Sequence, residues 1–370
     1  MRVPEAVVAG HLCLDMMPAF SGTGGRSLAE LLTPGALVNV GSMAVSTGGA
    51  VSNTGISLEL MGVDTLLLGK VGDDLFGEGI ARIVEGHGID SSALLRAPGE
   101  DTSYSVVLSP PGSDRVFLHN PGCNDTFCAE DVDFSAFSGV RLFHFGYPPL
   151  MRRMYSENGR ELVELMRRAR EAGITASLDM SLPDPASESG MVDWLKILEG
   201  VLPYVDLFVP SIDEIMFMLR EPGPFTFDML PSLAQRLLDM GAAAAFIKLG
   251  EGGSYALTGP DAPWPGRELY CEPFSVPPES IVNTTGAGDT CIAGFLAGML
   301  RGLPLGTAMR LGNAAGALNI QIKESVGGAR PVEEILAMLP CWPSKPQSPD
   351  RDYWTPCGPG LYAGKNDRGE

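Results

Sequence analysis

The stretch Asn283-Thr284-Thr285-Gly286-Ala287-Gly288-Asp289 holds the residue types needed to grip an anion beside a base. It runs straight into TCIAGFLAGMLRG, which predicts a helix over 290–301 whose small residues (Ala293, Gly294, Ala297, Gly298) suit close packing. A glycine-rich turn opening a helix leaves backbone N–H groups pointing outward, and the helix dipole adds positive potential. Gly286 and Gly288 remove side chains that would block a phosphate. Asp289 falls in the first turn, where the dipole is expected to favour its ionised form and supply a carboxylate base at neutral pH. A phosphate pocket beside a carboxylate suits phosphoryl transfer to an alcohol. The carboxylate takes the hydroxyl proton while the N–H groups meet the charge on the moving group. Taken alone, the stretch is also compatible with a plain turn capped by an Asp. It is not a Walker A loop, because no Lys-Ser/Thr follows a second glycine.

Such a turn needs a scaffold. Short apolar runs at 6–9, 65–69, 142–145, 174–179, 207–209 and 243–249 read as buried strands. Helical patterns cover 51–61, 76–87, 155–172, 290–301 and 307–321. This alternation predicts an α/β fold, a mostly parallel sheet with helices on both faces and sites at the carboxyl ends of the strands. Two segments, 37–47 and 102–119, alternate in the strand manner, and the second carries a PPGSD turn, so a small separate β layer with a hairpin is expected. The segment 341–370, rich in Pro, Gly, Asp and Trp, predicts an extended surface strap or partial disorder.

The 370 residues are 45% hydrophobic and 19% charged, enough for a sizeable core and too apolar for wholesale disorder. A formal charge of −19 repels polyphosphate chains and argues against nucleic-acid binding. An anionic substrate therefore needs a local device such as a helix N-terminus or a metal ion. No basic-then-apolar leader opens the sequence, and apolar runs break well before the ~18 residues of a membrane span. The seven cysteines are scattered without C-x-x-C, which points to reduced thiols, a cytoplasmic setting and neither zinc nor disulfides.

Further motifs stand in order along the chain: Gly48-Gly49-Ala50-Val51-Ser52-Asn53, then LMGVD at 60–64, GKVGDDLFG at 69–77, and finally the 283–289 stretch. Together they resemble the PfkB (ribokinase-like) family of carbohydrate kinases over about residues 3–335. The resemblance implies a ribokinase-like three-layer fold with a β-sheet lid, an ATP site with Mg²⁺, and phosphorylation of a hydroxyl on a sugar or related molecule. It implies one kinase domain over 1–340, with lid strands at about 12–47 and 100–121, and a C-terminal extension over 341–370. By position, Asp289 matches the catalytic base, and Thr284, Gly286, Ala287 and Gly288 match the anion hole and its nucleotide side. Asp15, placed at the end of the first strand, matches a substrate-binding Asp, and Gly48, Gly49 and Asn53 match substrate-binding positions. A carboxylate and an amide offer acceptors and donors to vicinal hydroxyls, and glycines let a sugar approach the backbone. Pro210-Ser211-Ile212-Asp213-Glu214 resembles a P-N-x-x-E element whose Glu organises magnesium. Lys248, Gly250 and Gly253 resemble a K-x-G-x-x-G turn beside the nucleotide, and Asn313 matches a position near the adenine.

Five positions depart from the family pattern. Asn283 stands where Asp is commoner, beside the family's potassium ion; it keeps an oxygen and loses the charge, which leaves K⁺ activation open. Ser211 replaces Asn. Asp179, Ser181 and Pro183 stand where many relatives carry D-x-N-x-R, and loss of the Arg argues against an acidic or phosphorylated sugar. Ala50 replaces a Lys of ribose-specific relatives. Tyr147, in HFGYPPL, reads equally as a ligand contact or as rim packing. The isolated His11, His87, His119 and His144 read as packing or surface residues, with Arg115 and His119 on the hairpin as weaker contacts to substrate. The expected activity is ATP-dependent phosphorylation of a small sugar, with a nucleoside kinase or a catalytically weak sugar-binding regulator as alternatives. A dinucleotide oxidoreductase is excluded, because residues 9–13 lack G-x-G-x-x-G. Apolar lid strands predict a homodimer through the lid.

Overall fold

The computed structural model describes residues 4–20, 28–110, 116–347, 350 and 352–369. Its strands form where the sequence runs apolar. Along Ala6–Gly10, Ala6 and Val8 pack into one core cluster while Val7 and Ala9 pack into another. Leu142 joins the first cluster, and Phe143 and Phe145 the second. Both faces of these strands are covered, which is why they read as unbroken apolar runs.

Side by side in the main sheet, Thr65–Leu68, Ala6–Gly10, Leu142–Gly146, Thr175–Asp179, Leu207–Phe208 and Ala244–Lys248 run parallel. Ser254–Thr258 and Glu268–Cys271 follow antiparallel. Leu361–Ala363 and Thr355–Gly358 complete a ten-stranded sheet. That edge corrects the expectation for the tail, which is built into the sheet and not merely strapped over it. The reason is Trp354, which is 3% exposed and packs against Tyr255, Tyr270 and Phe227.

A second sheet orders Met43–Gly48, Cys13–Pro18, Tyr104–Leu108 and Val116–Asn120. It is the separate β layer expected from the alternating segments. The hairpin pairs Leu108 with Val116, and Arg115 lies outside the described residues. The first segment is strand only from Met43; before it, Gly41 and the Ser42 carbonyl close a turn against Ala19. The helix expected over 155–172 is divided into Arg152–Tyr155 and Arg160–Glu171. Between them Glu157, Asn158 and Gly159 take left-handed backbone angles, a conformation that Asn-Gly tolerates well.

The helix Ala50–Leu60 and the pair Ala287–Leu300 and Leu305–Asn319 cover one face. The pair packs through its small residues: a Cβ on Gly294 would lie 2.9 Å from the Cα of Gly312. At the carboxyl ends of neighbouring strands stand Gly10, Gly146, Asp179 and Lys248, the place where open α/β sheets put ligands.

Candidate active site

Gly286 precedes the helix Ala287–Leu300 with φ 75°. A Cβ there would lie 1.9 Å from the Ser325 carbonyl oxygen, so glycine is required by both conformation and space. A Cβ on Gly288 would meet only the Lys248 side chain, at 3.8 Å, which leaves that side of the turn open. The loop before the turn is tied internally. The Asn283 Oδ1 accepts from the Thr285 amide at 3.0 Å, and its Nδ2 donates to the Lys323 carbonyl at 2.8 Å.

Asp289 is 3% exposed. Its Oδ2 accepts from the Asn53 Nδ2 at 3.0 Å, and the Tyr147 hydroxyl donates to Oδ1 and Oδ2 at 2.8 and 2.9 Å. Tyr147 reaches it from a left-handed backbone conformation, φ 66°, directly after the strand Leu142–Gly146. Burial pushes the Asp289 carboxyl above the ordinary carboxylate value, against the pull of Lys248 and of the hydrogen bonds from Asn53 and Tyr147. This reverses the direction expected from the helix dipole: removal from water outweighs the dipole at a fully enclosed position.

Lys248, at the end of its strand, donates to the Asp179 Oδ1 at 2.6 Å. Burial works against its charge, yet Asp179, Glu214 and Asp289 hold the ammonium above the usual lysine value. Asp179 is 1% exposed, and its Oδ2 is buried without a hydrogen-bond partner. Ser211 and Glu214 form a reciprocal cap at a helix start, with the Ser211 amide donating to the Glu214 Oε2 at 2.6 Å and the Ser211 hydroxyl accepting from the Glu214 amide. Ser211 thereby gains a local purpose, and one oxygen of Glu214 is committed to the cap. Among the described residues no group of three or more Asp, Glu, His or Cys side chains is placed to hold a metal alone. Mg²⁺ keeps waters and is carried largely by substrate phosphates, so it asks for few protein ligands. The unpartnered Asp179 oxygen and the Glu214 carboxylate are the acidic groups that could hold it.

Asp289, Lys248, Asp179, Glu214, Gly286 and Gly288 line a cavity of about 380 Å³. Lys248 and Gly288 also border a second, more apolar cavity of about 510 Å³, lined by Gly250, Gly253, Thr284, Ala287 and Asn313. Two adjoining chambers, one charged and one more apolar, that share Lys248, Gly250 and Gly288 in their walls fit the phosphates and the base of a nucleotide. The Asn313 amide donates to the Cys271 and Glu272 carbonyls, so it fastens a wall of the second chamber.

Asp15 is not at the end of the first strand, as the sequence suggested, but within Cys13–Pro18 in the small sheet. The chain turns after Gly10 and starts a new strand at Cys13. Gly48 lies against it: a Cβ there would be 2.3 Å from the Asp15 Oδ2. Gly49 caps the helix Ala50–Leu60, which carries Asn53 to Asp289. Asp15 stands opposite Ser105 in the small sheet, and from Ser105 a row of rings leads to the centre. The Ser105 hydroxyl bonds the His119 Nδ1 at 3.0 Å, His119 and His11 lie 5.3 Å apart, and His11 and Tyr147 lie 6.3 Å apart. Both ring nitrogens of His11 are buried without partners, and burial lowers its pKa to about 3. Sequence reasoning read His11 as a packing or surface residue, left Tyr147 open between ligand contact and rim packing, and noted Asp179 only as the surviving acid of the D-x-N-x-R position. Their common signal is position: each stands at or just past the carboxyl end of a predicted central strand.

The family model for pfkB family carbohydrate kinases matches residues 25–330. An uncharacterized sugar kinase of Archaeoglobus fulgidus is 29% identical, over 72% of this chain and 95% of its own. A 2-dehydro-3-deoxygluconokinase of Bacillus subtilis is 29% identical, over 82% and 90%, and probable fructokinase-6 of Arabidopsis thaliana is 24% identical, over 90% and 81%. The solved Arabidopsis thaliana ribokinase with ribose and ATP superposes with a TM-score of 0.71 at 19% identity, over 91% of this chain and 99% of that one. A putative ribokinase II from E. coli with ATP and Mg²⁺ superposes with a TM-score of 0.70 at 20% identity, over 91% and 99%.

Proposed function

The chain belongs to the PfkB family of carbohydrate kinases, and from that premise we propose that it transfers the γ-phosphoryl group of ATP to a hydroxyl of a small, neutral sugar. The observation that carries this reading is Asp289: a carboxylate held by Asn53 and Tyr147 beside an open glycine turn and two adjoining cavities.

In this reading Asp289 accepts the proton of the acceptor hydroxyl. The N–H groups at Gly286, Ala287 and Gly288 meet the charge on the phosphoryl group. Lys248 sits between the chambers and counters both the acidic cluster and the incoming phosphates. The second chamber takes the nucleoside, with Thr284, Gly250, Gly253 and Asn313 in its walls. Asp15, Gly48, Gly49 and Asn53 hold the sugar under the small sheet, which keeps water from the phosphoryl group. Magnesium, held near Glu214 and Asp179, would neutralise phosphate charge. Potassium is less well provided for, since Asn283 brings no charge and its oxygen accepts from Thr285.

A nucleoside acceptor is a second reading, favoured by the rings of His11, His119 and Tyr147 gathered near Asp15. ADP release measured across fructose, ribose, 2-dehydro-3-deoxygluconate and nucleosides separates these readings. Turnover with a neutral sugar supports the proposal. A clear preference for the acidic sugar or a nucleoside overturns its substrate class, and no acceptor-dependent ADP release overturns the kinase reading. The exposed apolar residues on the small sheet support a homodimer formed through it, and no helix among the described residues is long and apolar enough to cross a membrane.

A further inference from the structure

The chain continues past residue 330, where the family match ends, and this extension folds back onto the second chamber. Ser344 forms an antiparallel bridge with Phe274. The Ser275 amide donates to the Pro343 carbonyl at 2.9 Å, and the Lys345 amide to the Pro273 carbonyl at 2.8 Å. Lys345, Pro273 and Phe274 all line the cavity of about 510 Å³, so the tail is one of its walls.

The tail is firmly held. Arg310, 9% exposed, donates to the carbonyls of Pro359 and Leu339, both in or beside the tail, and lies over the Phe274 ring at 5.2 Å. Trp342 packs on the same ring with centroids 5.0 Å apart. A buried guanidinium needs such acceptors, so it fixes this course of the chain. The Lys345 ammonium then reaches across the cavity mouth to Glu251 at 3.2 Å, on the turn that carries Gly250 and Gly253. These side chains are 53% and 92% exposed. A pair so open to solvent contributes little by itself and exchanges readily for a better anionic partner.

We propose that the C-terminal tail completes the nucleotide site, and that the Lys345 ammonium leaves Glu251 to bind a ribose or phosphate oxygen of a nucleoside di- or triphosphate whose nucleoside occupies the second chamber. The inference rests on the kinase reading above and adds a recognition residue from beyond the matched part of the chain. Phe274 is the apolar wall, Trp342 and Arg310 hold it in place, and Lys345 is the charged rim.

Calorimetric titration of ADP into the full-length protein tests this, with K345A, K345R and E251Q alongside. Losing a charge-assisted hydrogen bond at a part-exposed rim should weaken ADP binding about fivefold to tenfold in K345A. K345R should recover most of the loss, and E251Q should bind ADP at least as tightly as the parent. Equal ADP affinity in K345A and the parent overturns the proposal. So does an equal weakening in K345A and E251Q, which would mean that Lys345 only steadies the turn. A parent protein that binds no ADP would instead defeat the kinase reading.

Discussion

The Tyr147 hydroxyl donates to both carboxylate oxygens of Asp289, at 2.8 and 2.9 Å. Burial pushes that carboxyl up, and these hydrogen bonds oppose the rise. In Y147F the carboxyl should therefore ionise at still higher pH. The acid limb of kcat/KM is expected to move to higher pH, with a loss of roughly tenfold or more at neutral pH that shrinks as pH rises. A uniform loss with an unmoved limb would show that Tyr147 acts only by packing.

Asp289 itself should show a conflict between stability and activity. Its folded-state pKa lies above the unfolded value. The folded form thus binds the proton more tightly, and stability falls as pH rises from the unfolded pKa through the folded one. D289N removes that ionisation. Phosphotransfer should fall by about 10² to 10⁴, while the melting temperature at pH 8 equals or exceeds that of the parent and the gain disappears in acid. Turnover near the parent rate would reject Asp289 as the base.

Lys248 faces three enclosed carboxylates, Asp179, Glu214 and Asp289, and pairs with the first at 2.6 Å. K248M leaves them uncompensated, which should cost about 3–5 kcal/mol in chemical denaturation. K248M/D179N should recover part of that loss without restoring activity. If K248M alone unfolds at the parent denaturant concentration, the cluster is hydrated and the charge argument fails.

The parallel sheet was legible because continuous apolar runs such as Ala6 to Ala9 mark strands covered on both faces. The glycine turn was legible because its backbone demands leave a fixed spelling, as Gly286 against Ser325 illustrates. The choice between ligand contact and rim packing for Tyr147 was not, since nothing in HFGYPPL reveals a left-handed tyrosine aimed at a carboxylate 142 residues away. The direction of the Asp289 shift was not legible, because the local dipole is visible in sequence and burial is not. The tail was misread for the same reason: its composition suggests a strap, and only the pocket among Tyr255, Tyr270 and Phe227 shows where Trp354 goes.

The small sheet ends in two edge strands, Met43–Gly48 and Val116–Asn120. Val45 on one and Phe117 and Leu118 on the other are each more than half exposed, at 51%, 53% and 53%. Open strand edges bearing apolar side chains favour pairing with another chain, and a second copy offers the same surface by two-fold symmetry. Sedimentation velocity at micromolar concentration should give a dimer. A charge placed on one edge, in F117D, should shift it to monomer and lower turnover by admitting water above the sugar. A parent protein that sediments only as a monomer would overturn the dimer.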